Sequence, residues 1–438
     1  MKRLIFVSVI LFLLMDSCRF PDDQPSLMAV QPDSVIQAEL PYAQMSRDTL
    51  YDKVLGSLVG SAIGDAMGAP TEMWSRYSIN VEYGFVQGLD DMVREPSPEG
   101  TWDVNLRAGG TTDDTRWKYL TGLYMLDEFS TFYRDKGPNP RHFAKHITDQ
   151  YEKEVDDLLE TDTFDPRPIE ERVRRMAWLQ EWAVVAKPYV DREMDDYLDA
   201  LHRFYGGEMV CAGLLYSPMF GLPYPGQPER AYQSAYQLSI FDLGYARDIT
   251  ALTAAMMAEA MNPNATQGSV LAVLSEVDPQ NYFESRLVGR SSYRIWKDVR
   301  YMIGEAKALD TQGVSRGAAP ESIADRASLK KAYELLDQRT QDYPFHAGEI
   351  HMINLAAILY ADFDFQQALE FVINYGRDND TVGAITGAIL GGFHGYEKLP
   401  KDMKEQILKI NKQKLGIDLE KLAADLTDGM VDAGVIAS

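Results

Sequence analysis

Two short segments of the chain each place a pair of carboxylates beside threonine side chains. They are 109–115 (GGTTDDT) and 377–381 (RDNDT), and each stands ahead of an apolar helical pattern. Aspartate and threonine are ordinary at a helix start, where their oxygens accept hydrogen bonds from unpaired backbone N–H groups. Taken singly, each segment is therefore typical of a helix cap.

The two segments together predict a metal site. If the two helix starts meet, four carboxylates lie together, and like charges that close cannot all remain ionised without a counter-charge. Ligands that are all oxygen favour Mg²⁺, Ca²⁺ or Mn²⁺. Asp113 and Asp114 are adjacent, and Asp378 and Asp380 are two positions apart, so the members of each pair can serve different ions. We therefore expect a pair of divalent cations.

A third acidic residue, Glu72, follows a helical run that is rich in glycine. On its own it is expected to be a solvated surface residue. It joins the predicted site only if the end of that run faces the two acidic segments.

Glycines recur every four residues in two helical runs. They are Gly56, Gly60, Gly64 and Gly68 in the first run and Gly383, Gly387 and Gly391 in the second. Glycine inside a helix costs about 1 kcal/mol relative to alanine, so a compensating gain is expected. Close approach of two helix backbones supplies one. Asp65 interrupts the first run and argues against a membrane span. The runs therefore predict two buried, tightly packed helices.

The composition is that of a globular protein. Hydrophobic residues make up 45% and charged residues 25% of the 438 residues, which excludes a wholly disordered chain, a collagen and a multi-span membrane protein. The net charge is −23, so binding to nucleic acid is not expected. Only two cysteines occur, Cys18 and Cys211, and they exclude a disulfide scaffold.

Helical periodicity dominates the chain after residue 48, and strand-like alternation is scarce. The segments that carry it are 115–133, 170–190, 248–261, 325–338, 350–360, 365–375 and 380–393. The predicted fold is all-α: a single large helical domain over 49–400, followed by one or two surface helices within 401–438. The charged segment 134–205 is predicted to be an inserted helical subdomain or lid, and 306–328 to be a loop or irregular connection.

The N-terminus resembles a bacterial lipoprotein signal. Lys2 and Arg3 precede an apolar stretch that ends at residue 15, which is too short to span a membrane. We expect 1–17 to be a signal peptide, Cys18 to be lipidated, and 18–48 to be a tether. The alternatives are an ordinary signal peptide and an uncleaved anchor. The expected location is the bacterial cell envelope, with membrane contact only through the lipid anchor.

Together, the motifs resemble the ADP-ribosylglycohydrolase family. They are 64–68 (GDAMG) with the downstream Glu72, 112–115 (TDDT) and 378–381 (DNDT), and they occur in the family's order. The resemblance implies an all-α fold with two Mg²⁺ ions, or Mn²⁺ in their place, in a central cleft. The implied metal ligands are Thr112, Asp113, Asp114, Asp378, Asp380 and Thr381.

The reaction that the resemblance implies is hydrolysis of the glycosidic bond at C1″ of the distal ribose of ADP-ribose. Asp113, Asp114 and Glu72 are the implied catalytic residues, and either Asp114 or Glu72 would move the proton. The implied substrate-binding residues are Gly110, Gly206, Gly207, His351, Asn354 and Arg377.

Two positions depart from the family pattern. Arg377 replaces a small or aromatic residue, and it could pair with a pyrophosphate or partly neutralise the carboxylates. Phe241 and Asp242 occupy the area in which many members carry a histidine. These departures leave the specificity of the pocket open.

Several functional interpretations remain at this point. The substrate is an ADP-ribosyl conjugate or, because export separates the protein from most intracellular ADP-ribosylation, a related nucleoside-type glycoside. A second class is a non-catalytic binding protein of the cell envelope with an ADP-ribose-like or glycosidic ligand. A third is a metal-dependent phosphohydrolase, which paired metal ions also suit.

Overall fold

The structure, a computed structural model, describes residues 44–91, 106–133, 137–160, 166–313 and 322–436. The predicted signal peptide, Cys18 and most of the predicted tether lie outside these ranges. Within them the chain forms eighteen α-helices, and its β interactions are the isolated bridges Ser75–Gly376 and Val210–His346. The predicted all-α fold is confirmed.

The helices are numbered in chain order. The first nine are α1 (Arg47–Gly68), α2 (Arg76–Glu82), α3 (Asp113–Asp127), α4 (Phe129–Phe132), α5 (Pro140–Leu159), α6 (Pro166–Asp191), α7 (Met194–Arg203), α8 (Ser217–Gly221) and α9 (Pro228–Leu238). The others are α10 (Ala246–Ala260), α11 (Gln267–Glu276), α12 (Ser291–Gly313), α13 (Ala327–Asp337), α14 (Ala347–Tyr360), α15 (Phe365–Tyr375), α16 (Asn379–His394), α17 (Lys401–Ile410) and α18 (Leu419–Asp432). Short 3₁₀ turns next to the candidate site are Ala69–Thr71, Phe204–Gly207 and Ala212–Leu215.

The two glycine runs lie in α1 and α16, which pack against each other in antiparallel directions. Gly56 faces Gly391, Gly60 faces Gly387, and Gly64 faces Gly383 across the contact. A Cβ added at any of these positions would overlap backbone atoms of the opposite helix. The contact buries both helices, and α10, α14 and α15 cover α16 on its other sides. The prediction of two tightly packed, buried helices is therefore confirmed.

The described part of the segment 134–205 consists mainly of helices α5, α6 and α7, and its inner face joins the main core. Helix α6 packs against both α5 and α7. Trp182 of α6 is buried, with its ring centroid 4.2 Å from that of Trp117 of α3. Phe143 of α5 packs on Tyr216, next to α8, at 5.1 Å. Aromatic packing thus attaches these helices beside the start of α3.

The prediction of an irregular connection over 306–328 is wrong at both ends. Helix α12 continues to Gly313, Ile323–Asp325 forms a 3₁₀ turn, and α13 begins at Ala327. The buried side chains of α12 are Ser292, Trp296, Val299, Met302, Ile303 and Ala306. After Ala306 the apolar spacing weakens while the helix goes on, so periodicity alone did not mark its end.

The two C-terminal helices are not confined to the surface. Helices α17 and α18 both pack against α1, and α18 also packs against α3. The buried face of α18 consists of Leu419, Leu422, Ala423, Leu426 and Met430. In the described part of the chain, no helix is long and apolar enough to cross a lipid bilayer.

The glycine contact gives a test of stability. Gly60→Ala places a methyl group against the carbonyl oxygen of Gly387, so we expect the free energy of unfolding to fall by about 2 kcal/mol. Gly304→Ala is the matched control, because Gly304 also lies within a helix but a Cβ there meets no atom within 4 Å. That variant should be more stable by about 1 kcal/mol. Urea denaturation measures both, and equal effects of the two substitutions would contradict the contact.

Candidate functional site

The two acidic segments, 265 positions apart when counted from Asp113 to Asp378, meet in the fold. Helix α3 begins at Asp113 and α16 begins directly after Asp378, and both starts lie at the end of α1. One carboxylate oxygen from each of Glu72, Asp378 and Asp380 lies within 4.8 Å of the other two. The condition set for Glu72, that its helix end face the acidic segments, is therefore met.

Glycine packing brings the backbone of Asp380 to its place. A Cβ on Gly68, the last residue of α1, would collide with the backbone nitrogen and Cα of Asp380. Asn379 then links the two sides, because its Nδ2 donates to the hydroxyl of Thr71 at 2.9 Å and to the carbonyl of Ile373 at 3.0 Å. Thr71 directly precedes Glu72. The close helix contact thus sets the distance between the carboxylates.

A short backbone pairing fixes the other side of Glu72. The amide of Met73 donates to the carbonyl of Arg377 at 2.7 Å, and the amide of Arg377 donates to the carbonyl of Trp74 at 3.0 Å. Met73 and Arg377 both have positive φ, 63° and 68°. Non-glycine residues rarely adopt this region, and strained backbone clusters at functional sites. Glu72 and Asp378 directly flank these two residues.

The carboxyl groups of Asp378 and Asp380 resist ionisation. Burial, followed by the charge of Glu72, raises the pKa of Asp378 and of Asp380 well above the ordinary value. Oδ1 of Asp380 is buried and accepts no hydrogen bond from the described residues. A buried oxygen without a donor is costly, and an oxygen-binding cation satisfies it. Glu72, Asp378 and Asp380 therefore suit a hard divalent cation.

Asp65 is a site residue that the sequence interpretation missed. It lies on the buried face of α1 and accepts hydrogen bonds from the amides of Thr112 at 2.9 Å and Thr115 at 3.0 Å. The hydroxyls of the same two threonines donate to it at 3.0 and 2.5 Å. Burial, then the charge of Asp114, raises its pKa to about 6. A lone acid within a run of small residues was the signal for it.

Asp114 is held by donors of the protein itself. Thr381 donates its hydroxyl to Oδ2 of Asp114 at 3.0 Å. Lys118, one helical turn later, donates to the carbonyl and to Oδ1 of Asp114 at 3.1 and 3.3 Å. Thr112 makes a longer contact, 3.4 Å, to Oδ2 of Asp380. Thr112 and Thr381 thus lie in the cluster, and Asp114 does not belong to the carboxylate triad of Glu72, Asp378 and Asp380.

Two cavities share a border at the cluster. The smaller, of about 60 Å³, is lined by Glu72, Asp378, Asp380 and Cys211, among others. The larger, of about 600 Å³, lies against α6 and α7. Asp113 and Tyr205 line both cavities. The acidic cluster therefore opens toward a cleft whose other wall is the segment 134–205.

The sequence model of the family described as ADP-ribosylglycohydrolase matches residues 46–434. The chain belongs to the ADP-ribosylglycohydrolase family. This is a family of glycoside-cleaving hydrolases, so the protein is a glycosidase.

A solved structure described as an ADP-ribosylglycohydrolase-related protein complex is also similar. It shares 16% identity over 87% of this chain and 99% of its own, with a TM-score of 0.51. At that identity the likeness shows the common all-α fold. No curated protein sequence matches the chain.

Some of the substrate-binding residues expected from the ADP-ribosylglycohydrolase pattern lie near the cluster. Gly206 and Gly207 belong to the 3₁₀ turn that carries Tyr205. Both have positive φ, which glycine adopts readily because it has no Cβ. Gly110 is buried two residues before Thr112. Their roles in binding substrate remain predictions.

The other expected substrate-binding residues do not line the acidic cavity. The guanidinium of Arg377 pairs with Glu349 at 2.6 Å and turns toward a separate cavity of about 700 Å³. His351 is buried in α14, where desolvation lowers its pKa to about 4. Asn354 accepts a hydrogen bond from Thr386 at 2.8 Å within the core. Asn354 therefore faces α16, and the helical periodicity of the sequence did not indicate this orientation.

Asp242, which with Phe241 occupies the area where the resemblance leads one to expect a histidine, supports the cavity wall. It accepts hydrogen bonds from the amide of Gly213 at 2.7 Å and the hydroxyl of Thr250 at 2.6 Å. Gly213 belongs to the 3₁₀ turn that follows Cys211 and carries the cavity-lining Leu215. Burial raises the pKa of Asp242 to about 6. The pKa of this carboxyl group therefore lies near neutrality, although the group does not contact the carboxylate triad.

This shift predicts a dependence of stability on pH. The pKa of Asp242 is about 6 in the folded chain against an ordinary 3.8, so the folded state holds the proton more tightly. The resulting stabilisation is complete below about pH 4 and is lost as the pH rises through about 6. In urea denaturation across this range, Asp242→Asn should lose about 2 kcal/mol less than the parent protein.

The matched control is Asp428→Asn, because Asp428 is exposed and pairs with Arg47 at the surface. It should keep the full pH dependence. Equal slopes for the parent protein and Asp242→Asn would contradict the assignment, since the other carboxylates with raised pKa values are present in both.

Proposed function

We propose that the protein is a divalent-metal-dependent hydrolase of a ribosyl glycosidic bond, in an ADP-ribosyl conjugate or a related nucleoside-type glycoside. The observation that carries the proposal is the triad of Glu72, Asp378 and Asp380, with a buried Asp380 oxygen that has no donor among the described residues. We propose Mg²⁺, or Mn²⁺ in its place, as the family resemblance implies, and the carboxylate oxygens of the triad suit both ions.

The charges of the site suit the chemistry of this bond. Cleavage of a ribosyl bond develops positive character at the anomeric carbon and negative charge on the leaving group. A divalent cation held by the triad supplies Lewis-acid charge to oxygens of the sugar or the leaving group. Carboxylates beside it, Asp113 above all, favour the positive character of the ring.

Asp113 is the best-placed residue to carry the proton. It lines both the acidic cavity and the larger cleft, whereas Asp114 lines neither of them. Glu72 belongs to the metal triad. Asp113 can therefore deprotonate an attacking water or protonate a leaving group at the border of the two cavities.

The substrate is proposed to extend from the acidic cavity into the larger cleft. A space of about 60 Å³ admits a few water molecules and is too small for a ribose. Tyr205 borders both spaces, and its ring centroid lies 6.1 Å from that of Phe345 at the smaller cavity. Movement of these rings opens the way for the sugar, while α6 and α7 receive the remainder of the substrate.

Two other proposals concern location and function class. We propose export to the bacterial cell envelope with a lipid on Cys18, which rests on the N-terminal sequence pattern.

The alternative of a non-catalytic binding protein would gain support from an arginine inside the carboxylate triad. Arg377 instead pairs with Glu349, so no observation favours that alternative over hydrolysis.

The central test is metal-dependent turnover. ADP-ribosyl-arginine, ADP-ribosyl-serine and simple nucleosides are incubated with the protein before and after EDTA. Release of ADP-ribose from the conjugates and of free ribose from the nucleosides is measured. We expect loss of activity in EDTA, recovery with Mg²⁺, and a decrease of about 100-fold or more in Asp380→Asn. Asp428→Asn is the control and should keep full activity.

Three outcomes would contradict the proposal. If EDTA leaves the activity unchanged, the reaction does not depend on a metal ion. Release of inorganic phosphate in place of a sugar indicates a phosphohydrolase. Thermal stabilisation by an ADP-ribosyl conjugate that the protein does not turn over indicates a binding protein.

A substitution at Arg203 tests which of the two substrate classes the protein prefers. It is the arginine that lines the larger cleft, and a guanidinium there can form charge-assisted hydrogen bonds to a pyrophosphate. With an ADP-ribosyl conjugate as substrate, Arg203→Ala should raise KM about tenfold and leave nucleoside turnover unchanged. Lys187→Ala, an exposed cation of the same segment, is the control. An equal effect on both substrates would contradict a diphosphate-binding role.

A further inference from the structure

Lys118 is a buried cation inside the acidic cluster. Its side chain is 3% exposed, and that of its partner Asp114 is 1% exposed. An exposed pair at this helical spacing contributes little. A buried lysine, in contrast, is retained only where a partner compensates for its desolvation. Neither the motifs of the sequence nor the proposed reaction accounts for a lysine at this position.

The cluster divides into two halves. In the first half, Asp65 accepts from Thr112 and Thr115, and Asp114 accepts from Lys118 and Thr381. In the second half, Glu72, Asp378 and Asp380 lie within 4.8 Å of one another, and Oδ1 of Asp380 has no donor in the described chain.

A cation pair would need ligands from both halves. The family resemblance implies Asp114 as one of those ligands. In this chain, Oδ1 of Asp114 accepts from an ammonium group at 3.3 Å. A second divalent cation at Asp114 would have to displace that hydrogen bond and lie beside the positive charge of Lys118. In the second half, no ammonium or guanidinium group of the described residues donates to Asp378 or Asp380.

We propose that Lys118 occupies the cation position beside Asp114, so that the cluster binds one divalent cation tightly, through Glu72, Asp378 and Asp380. Lys118 is a positioning residue in this arrangement, because it acts through Asp114. The inference rests on the proposed metal dependence but goes beyond it by fixing the number of ions.

Titration with Mn²⁺ tests the proposal directly. Calorimetry gives the number of ions bound per chain, and electron paramagnetic resonance distinguishes an isolated Mn²⁺ from an exchange-coupled pair. We expect one tightly bound, magnetically isolated ion in the parent protein. Two ions with affinities within about tenfold of each other, or a coupled spectrum, would overturn the proposal. Absence of any binding would instead overturn the metal dependence itself.

Three variants assign the effect to Lys118. Lys118→Met removes the charge at similar volume, and a second Mn²⁺ should then bind about tenfold more tightly and couple to the first. Lys118→Arg keeps the charge and should retain one isolated ion. The matched control is Lys53→Met, because Lys53 is also buried but donates only to carbonyls, those of Ala260, Gly392 and Phe393.

The outcomes are distinct even if one variant does not fold. A folded Lys118→Met that still binds a single ion shows that Lys118 is not the cause and overturns the proposal. If Lys118→Met fails to fold, the stoichiometry of the parent protein and of Lys118→Arg decides. A second ion in Lys53→Met would also overturn it, since any loss of a buried lysine would then have the same effect.

Discussion

The direct contact between the backbones of α1 and α16 is the constraint on which the rest of the structure depends. Glycines on both helices let the main chains approach to distances at which a single methyl group would overlap a carbonyl. Because the helices are antiparallel, the end of α1 lies at the start of α16. Gly68 therefore meets Asp380, and the contact that fills the core also positions a carboxylate of the cluster.

The same contact explains how so many carboxylates can be buried together. Asp113, Asp114 and Asp380 lie in the first turns of α3 and α16, where backbone N–H groups and the helix dipoles favour negative charge. Threonine hydroxyls donate to Asp65, and Lys118 and Thr381 donate to Asp114. The pKa values of Asp378 and Asp380 are raised well above the ordinary value, and Oδ1 of Asp380 has no donor among the described residues. A cation bound there would relieve this crowding of charge.

Much of this arrangement could be predicted from the sequence, because it depends on local patterns. Glycine spacing indicated the central helix pair, and acidic helix starts indicated the metal cluster. Asp65 and Lys118 were missed because their importance depends on which residues α1 and α3 bring together. The side chain of Arg377 could not be placed either, since Glu349, its partner, lies on another helix. The continuation of α12 to Gly313 shows the converse: weak periodicity does not end a helix already fixed by packing.

The strained backbone beside the cluster is held in place by the hydrogen bonds and packing around it. Left-handed φ angles at Met73 and Arg377 cost about 1–2 kcal/mol each. Two backbone hydrogen bonds between their segments, and the buried bonds of Asn379 next to them, fix this conformation. In return, Glu72 and Asp378 project from adjoining positions toward the same cavity. A relaxed backbone would separate them, so the rigid glycine contact allows the site to be held in a shape that local preferences disfavour.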